Sequence, residues 1–399
     1  MATNDHPRSR TAVILSGGGA RGAYEAGVVA GIVEVLAGSH GEHAPFSIFT
    51  GASVGAINAT WLAAHADQPD MNVQGLLARW RALNLHEHLR IRPPRFLRTG
   101  RDGDQWGRSL LDPQALEDLV EREIPFDRLH ANVQQDVVHA LVVAALEIAT
   151  GRTTMFAELA PEATFVPSRD PRRRGRVTRI DCSHVLASAA IPVLFPARKV
   201  QSAYYCDGGL RFNTPLAPAI RAGATRLVVI SALYAGGDFA SPDNHANRQQ
   251  PQTYPSIIFL AGKVLNALLL DPLDYDLGVL DRLNRLWNTL EASLDAAEME
   301  RVVHVLQETR GQSYQHLRTL VFHPSENIGN ITSAHVRKLP RTSLPRVLFR
   351  MGARETGEAD LLSFIMFDGE HAGHLIELGK RDAHAREGEI LDFFHDASE

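Results

Sequence analysis

Apolar residues cluster in short unbroken runs over the first half of the chain and in longer periodic stretches over the second. Residues 11–16 (TAVILS) have the length and branching of a buried strand, and the run ends in glycines. From Ala20 to Leu36 apolar positions recur at helical spacing. A second strand is expected at 46–50 (FSIFT), running into GASVG, with a small-residue helix at 56–65. Strand, glycine turn and helix thus occur twice in 65 residues, the pattern of a mostly parallel sheet with helices on its faces. Between about 84 and 130, Pro, Gly and Arg break any period (RIRPPRFLRTGRDGD), which predicts a cap or loop. Strands are expected at 137–148, at 203–206 ahead of Asp207-Gly208-Gly209, and at 226–231, with a helix at 178–190. Residues 168–176 (SRDPRRRGR) read as a basic loop and 235–254 as a Gly/Pro/Asn/Gln-rich linker. Helices follow at about 256–270 and 275–310, the latter with leucines at 277, 280, 283, 286, 290 and 294. A short apolar run at 321–323 and a helix at about 386–395 complete the pattern, and no repeat is present.

Composition narrows the class without deciding it. The 399 residues are 44% hydrophobic and 22% charged, as in an ordinary globular protein, with a net charge of −5. A weakly acidic balance argues against nucleic acid as a partner. Two cysteines, Cys182 and Cys206, make a disulfide scaffold an unattractive reading and point to reducing cytoplasm. The run at 11–16 is too short for a signal-peptide core, and no stretch reaches the roughly 18 apolar residues of a membrane span.

Three motifs carry candidate chemistry. Gly17-Gly18-Gly19-Ala20-Arg21-Gly22 lies between a strand and a helix, where unencumbered N–H groups can meet an anion. Taken alone it is equally a nucleotide-phosphate cradle or tight helix packing; it lacks the Lys-Ser/Thr of a P-loop. Gly51-Ala52-Ser53-Val54-Gly55 has the strand-before, helix-after context of a nucleophile elbow, whose flanking positions must be small. The plainer alternative makes Ser53 a helix N-cap. Asp207-Gly208-Gly209 by itself is a common turn.

Their conjunction in this order resembles the patatin-like phospholipases, which carry G-G-G-x-R-G, G-x-S-x-G and D-G-G or D-G-A. The run Ala187-Ser188-Ala189-Ala190-Ile191-Pro192-Val193-Leu194-Phe195-Pro196 also looks like that family's A-S-x-A-x-P-x-x-F-P, and Asn213 and Pro215 match its N-x-P. The resemblance covers about residues 11–231. It implies a three-layer α/β/α fold with a central, mostly parallel sheet, and a catalytic domain at 11–231 followed by a linker at 232–254. A mainly helical C-terminal extension, 255–399, would pack on that domain. It also implies a Ser53–Asp207 dyad, with Gly17, Gly18 and Gly19 as oxyanion donors and Arg21, Gly22, Gly51, Gly55, Gly208 and Gly209 supporting them. Arg21 would steady the loop or approach a lipid phosphate. The implied reaction is two-step hydrolysis of a fatty acyl ester (phospholipid, lysophospholipid or glyceride) without a cofactor. A small-ester esterase or thioesterase with the same dyad, or a silent regulatory or lipid-binding relative, would share these motifs.

Other residues have two readings each. His184, His371 and His374 are the histidines weighed for a triad; a core or surface role is the ordinary one. His371 and His374 are three apart but lack a third metal ligand. Arg172, Arg173 and Arg174 read as solvated charge or as a foothold on an anionic membrane. The Leu-rich run at 256–294 reads as core or as an apolar lid. The protein is expected to reach lipid from solution, through transient contact with a membrane surface.

Overall fold

Alternate residues of the first strand, β1 (Thr11–Leu15), enter different cores, and both are buried and apolar. Val13 and Leu15 pack with the helix α1 (Gly22–Leu36), while Ala12 and Ile14 pack with the helix α7 (Leu216–Arg221) on the opposite face. A strand covered on both sides reads as an unbroken apolar run, which is why TAVIL shows no alternation. The computed structural model describes residues 10–37, 44–83, 114–192, 194–234, 273–310, 316–341, 343, 345–347, 349 and 360–395.

Around β1 the strands β2 (Ile48–Ala52) and β8 (Arg226–Ile230) pair in parallel, with Val13 opposite Phe49 on one side and Val228 on the other. The main sheet runs β5-β4-β3-β2-β1-β8-β9. Here β3 is Ala140–Glu147, β4 Thr153–Leu159, β5 Arg173–Val177 and β9 Arg318–Phe322. Only the β3–β4 step of this row is antiparallel. Strand β7 (Ala203–Asp207) pairs antiparallel with the end of β3, beyond the point where β2 stops, and β6 (Arg198–Val200) pairs with β7. With helices on both faces, the molecule has the three-layer α/β/α arrangement.

The remaining helices are α2 (Val54–Ala64), α3 (Val73–Arg81), α4 (Gln114–Glu123), α5 (Phe126–Gln134), α6 (Cys182–Ser188), α8 (Leu273–Ser293), α9 (Ala296–Arg310), α10 (Ile328–Lys338), α11 (Asp360–Ile365), α12 (Gly369–His384) and α13 (Glu387–His395). The C-terminal region packs directly on the first half of the chain. β9 extends the sheet beside β8, and α12 lies so close to α1 that a Cβ on Gly27 would meet the Ile376 backbone.

Several sequence expectations shift. Residues 173–176, read as part of a basic loop, belong to the edge strand β5; an edge strand tolerates charge because half of its surroundings are water. The helix expected from 178 begins at Cys182, where Asp181 caps it and His184 closes a capping box. Of the expected cap at 84–130, residues 84–113 lie outside the described residues, and 114–134 hold α4 and α5. The expected linker at 235–254 and helix at 256–270 also lie outside them. Among the described residues no helix is long and apolar enough to cross a membrane.

Candidate active site

The turn between β2 and α2 forces one residue out of the usual backbone regions. Ser53 takes φ 53° and ψ −128°, a sparsely populated conformation that costs of the order of 1–3 kcal/mol. The sharp turn brings backbones together on both sides. A Cβ on Gly51 would strike Gly55, and one on Gly55 would strike the Leu15 carbonyl at the end of β1. Both flanking positions therefore require glycine, and the serine sits at the C-terminal end of the sheet.

Asp207 arrives on a different strand. It ends β7, opposite Ala145 of β3, and its N–H donates to the Ala190 carbonyl (2.9 Å). Ser53 Oγ donates to Asp207 Oδ2 at 2.6 Å, and the Gly209 N–H donates to Oδ1 at 2.7 Å. Ser53 is 3% exposed and Asp207 wholly buried. Burial pushes the Asp207 carboxyl from its ordinary 3.8 up to about 7, against the opposing pull of those two hydrogen bonds. The result is a carboxylate of enhanced basicity in hydrogen-bond reach of a serine hydroxyl.

The glycine loop stands beside this pair. Its first amide is engaged: the Gly17 N–H donates to the Asn213 carbonyl (3.2 Å), and Asn213 Nδ2 donates to the Gly17 carbonyl (3.1 Å). No acceptor for the Gly18 or Gly19 N–H is found among the described residues. Gly17 is thus the loop's anchor in this state, and Gly18 and Gly19 are the amides with capacity to spare. Gly19 has φ +58° and lies against the Phe364 carbonyl, where no side chain fits. Arg21 is 4% exposed, donates from Nε to Ser363 Oγ (2.9 Å) and stacks 4.1 Å over the Phe364 ring. Of its two expected roles, this geometry fits steadying the loop.

Two residues matched motifs without a role being legible. Ser188 Oγ accepts from the Ser53 N–H (2.9 Å) and donates to the Ala144 carbonyl (2.6 Å), fixing the elbow to β3. Asn213 is the other, through its two hydrogen bonds with Gly17. The histidines lie elsewhere: His184 caps α6, His371 Nε2 pairs with Thr332 Oγ1 (2.9 Å), and His374 lies 6.3 Å from the His335 ring. Burial, then neighbouring His335, holds His371 down at about 3. Arg172 and Arg173 both face Asp170 (3.1 and 3.6 Å), Arg173 also stacks on Phe212, and Arg174 is exposed.

Next to the elbow lies an apolar pocket that opens to solvent. Trp61, Leu76, Trp80, Val120, Ile124 and Phe195 line it, as does Val54, the neighbour of Ser53. Its charged lining residues, Arg79 and Glu123, neutralise one another at 2.8 Å.

The patatin-like phospholipase family model matches residues 13–220. The chain belongs to the patatin-like phospholipase family. A "cGAMP-activated phospholipase" of Pseudomonas aeruginosa (strain BWHPSA011 / Pa011) is 30% identical over 201 residues, which are 50% of this chain and 53% of that protein. The match thus spans about half the length of the relative. Among solved structures, VipD from Legionella pneumophila is similar at TM-score 0.34 and 16% identity, over 93% of this chain and 67% of its own. Human GIVD cytosolic phospholipase A2, solved with methyl γ-linolenyl fluorophosphonate, is similar at TM-score 0.40 and 12% identity, over 98% and 59%. The patatin-like match holds every motif residue named above and ends before β8; Ser363 and Phe364, which hold Arg21, lie beyond it.

Proposed function

We propose that this chain hydrolyses fatty acyl esters of lipids (phospholipid, lysophospholipid or glyceride) by a Ser53–Asp207 dyad through an acyl-enzyme intermediate. The observation that carries the reading is the 2.6 Å hydrogen bond from an elbow serine to a buried carboxyl that titrates near neutrality. A serine hydroxyl is a weak nucleophile until a base takes its proton. Asp207 takes it as Oγ attacks the ester carbonyl, and the Gly18 and Gly19 amides receive the oxyanion. The proton then passes to the departing alkoxide, the C–O bond breaks, and the acyl group remains on Ser53. Water, losing a proton to Asp207, attacks the acyl-serine; the fatty acid leaves and Ser53 regains its proton. The apolar pocket beside Val54 supports an acyl chain as the group held during these steps, each buried methylene contributing about 0.8 kcal/mol.

The protein would meet its substrate by transient contact with a membrane surface from the cytoplasm. Arg172 and Arg174 give that contact a cationic element near an anionic surface. Asp170 offsets part of it: hydrogen bonding to Arg172 holds its carboxyl below the usual range. Hydrolysis of acyl esters graded by chain length and headgroup, compared with Ser53→Ala, tests the reading. Release of fatty acid by the native protein and none by the variant is expected; equal rates would overturn it.

A further inference from the structure

Beneath the glycine loop is a carboxylic acid for which this hydrolysis has no step. Glu25 lies in the first turn of α1 and is wholly buried. Ser16 Oγ donates to its Oε1 (2.9 Å) and Asn58 Nδ2 to its Oε2 (3.3 Å). Asn58 Nδ2 also reaches the Gly22 carbonyl (3.0 Å), while its Oδ1 accepts from Trp80 Nε1 (3.1 Å). Ser16 Oγ accepts in turn from the Ala232 N–H (3.1 Å). One chain of hydrogen bonds therefore links the residue before Gly17 to the end of the loop at Gly22 and to an indole in the wall of the apolar pocket.

We propose that Glu25 is a positioning residue, tying Ser16 to Asn58 and Trp80 so that the glycine-loop amides and the pocket wall keep one fixed placement relative to Ser53. The proposal rests on the Ser53–Asp207 reading. An aliphatic residue at this helix position would remove the acceptor that the Ser16 hydroxyl and Asn58 Nδ2 share in the protein interior, a penalty that a carboxyl avoids on both sides at once. Burial raises this carboxyl from 4.5 to about 8, with the bonds from Ser16 and Asn58 opposing, so it is mostly neutral at pH 7.

Charged and titratable groups around α1 face other partners. Arg21 is held by Ser363, and His371 by Thr332. Arg79 pairs with Glu123, and Arg81 with Glu377. Lys380 and His384 both meet Glu34, and Asp382 accepts from Tyr24. Of the acids on α13, Glu389 pairs with Arg386, while Glu387 and Asp392 are partly or fully exposed, as is His395. Above about pH 8 the network therefore contains a buried carboxylate with hydrogen bonds and, among the described residues, no paired cation.

Steady-state kinetics on a soluble acyl ester, from neutral to alkaline pH, test this in Glu25→Gln, Glu25→Ala and Ser16→Ala, with active sites counted from the first-turnover burst. Ionisation of Glu25 should make the native kcat decline above about pH 8; Glu25→Gln, a neutral isostere, is expected to keep kcat at neutral pH within about 3-fold and to abolish that decline. Glu25→Ala is expected to lower kcat about 10²-fold at unchanged KM and unchanged active fraction, the size of losing one oxyanion donor. Where Glu25→Ala does not fold, Ser16→Ala reads the same link, with a loss of about 10-fold. Native kcat in Glu25→Ala or Ser16→Ala, a loss confined to the active fraction, or Glu25→Gln falling as far as Ala would overturn the proposal. A native protein whose Ser53 takes no fluorophosphonate overturns the dyad reading with it; normal labelling with unchanged Glu25→Ala turnover overturns the Glu25 role alone.

Discussion

Replacing Asp207 with asparagine should stabilise the fold while destroying activity. The carboxyl rises from 3.8 to about 7 because it is wholly buried. At 1.36 kcal/mol for each tenfold change in proton affinity, that corresponds to about 4 kcal/mol. The folded protein binds this proton more tightly than the unfolded chain does. The contribution is therefore fully present below about pH 4 and is lost as pH rises through about 7. Asparagine does not titrate; it retains an acceptor for the Gly209 N–H and can donate to Ser53 Oγ. At pH 8.5 the variant should exceed the native protein by up to about 4 kcal/mol, or about 5 °C in Tm for a chain of this size. The two should converge near pH 4. Ester turnover should fall by ~10³ or more, as when a nucleophile's base is removed. Calorimetry at both pH values, with kinetics on the same samples, measures all three. Equal Tm at pH 8.5 would mean that the buried carboxyl carries no such cost, and turnover within tenfold of native would remove Asp207 as the base.

Other outcomes follow from the same geometry. Because the base must be ionised, kcat/KM should rise as pH climbs through about 7, below the alkaline decline expected from Glu25; no rise between pH 5 and 7.5 would contradict the raised Asp207 carboxyl. Leu76→Trp fills the pocket, so displacing about four methylenes should cost a long-chain ester ~10² in kcat/KM and leave an acetyl ester unaffected; equal losses would place the chain elsewhere. Ser363→Ala removes the acceptor of Arg21 Nε and should lower kcat about tenfold, with KM nearly constant; an unchanged kcat would show that the C-terminal segment does not steady the loop. Arg172→Gln with Arg174→Gln should weaken binding to anionic liposomes and spare a soluble ester; loss on both substrates would mean that these arginines support the fold.

The local parts of this architecture were legible because each is encoded within a few residues. TAVIL declares a strand buried on both faces, and the glycines around Ser53 declare a turn with no room for side chains. The motif order led to the family and the three-layer fold for the same reason. What could not be read was the set of partners brought from far along the chain. Arg21 meets Ser363 across 342 residues, and Gly17 meets Asn213 across 196, although Gly17 and Asn213 each lie in a motif. Nothing local marks RRGRV as a strand; pairing with β4 makes it one, and its exposed edge lets arginines stay. Likewise, β9 is a short run whose place is set by β8, whereas the Asp181–His184 capping box is a local signal that fixes where α6 begins.

The most direct test of the account is where a fluorophosphonate attaches. A serine activated by Asp207 beside the Gly18 and Gly19 amides should displace fluoride and retain the phosphonyl group. Intact-mass and peptide analysis of the native protein should show one adduct, on Ser53, and none in Ser53→Ala. An adduct on any other residue, or unlabelled protein that still hydrolyses acyl esters, would contradict the assignment of Ser53 as nucleophile.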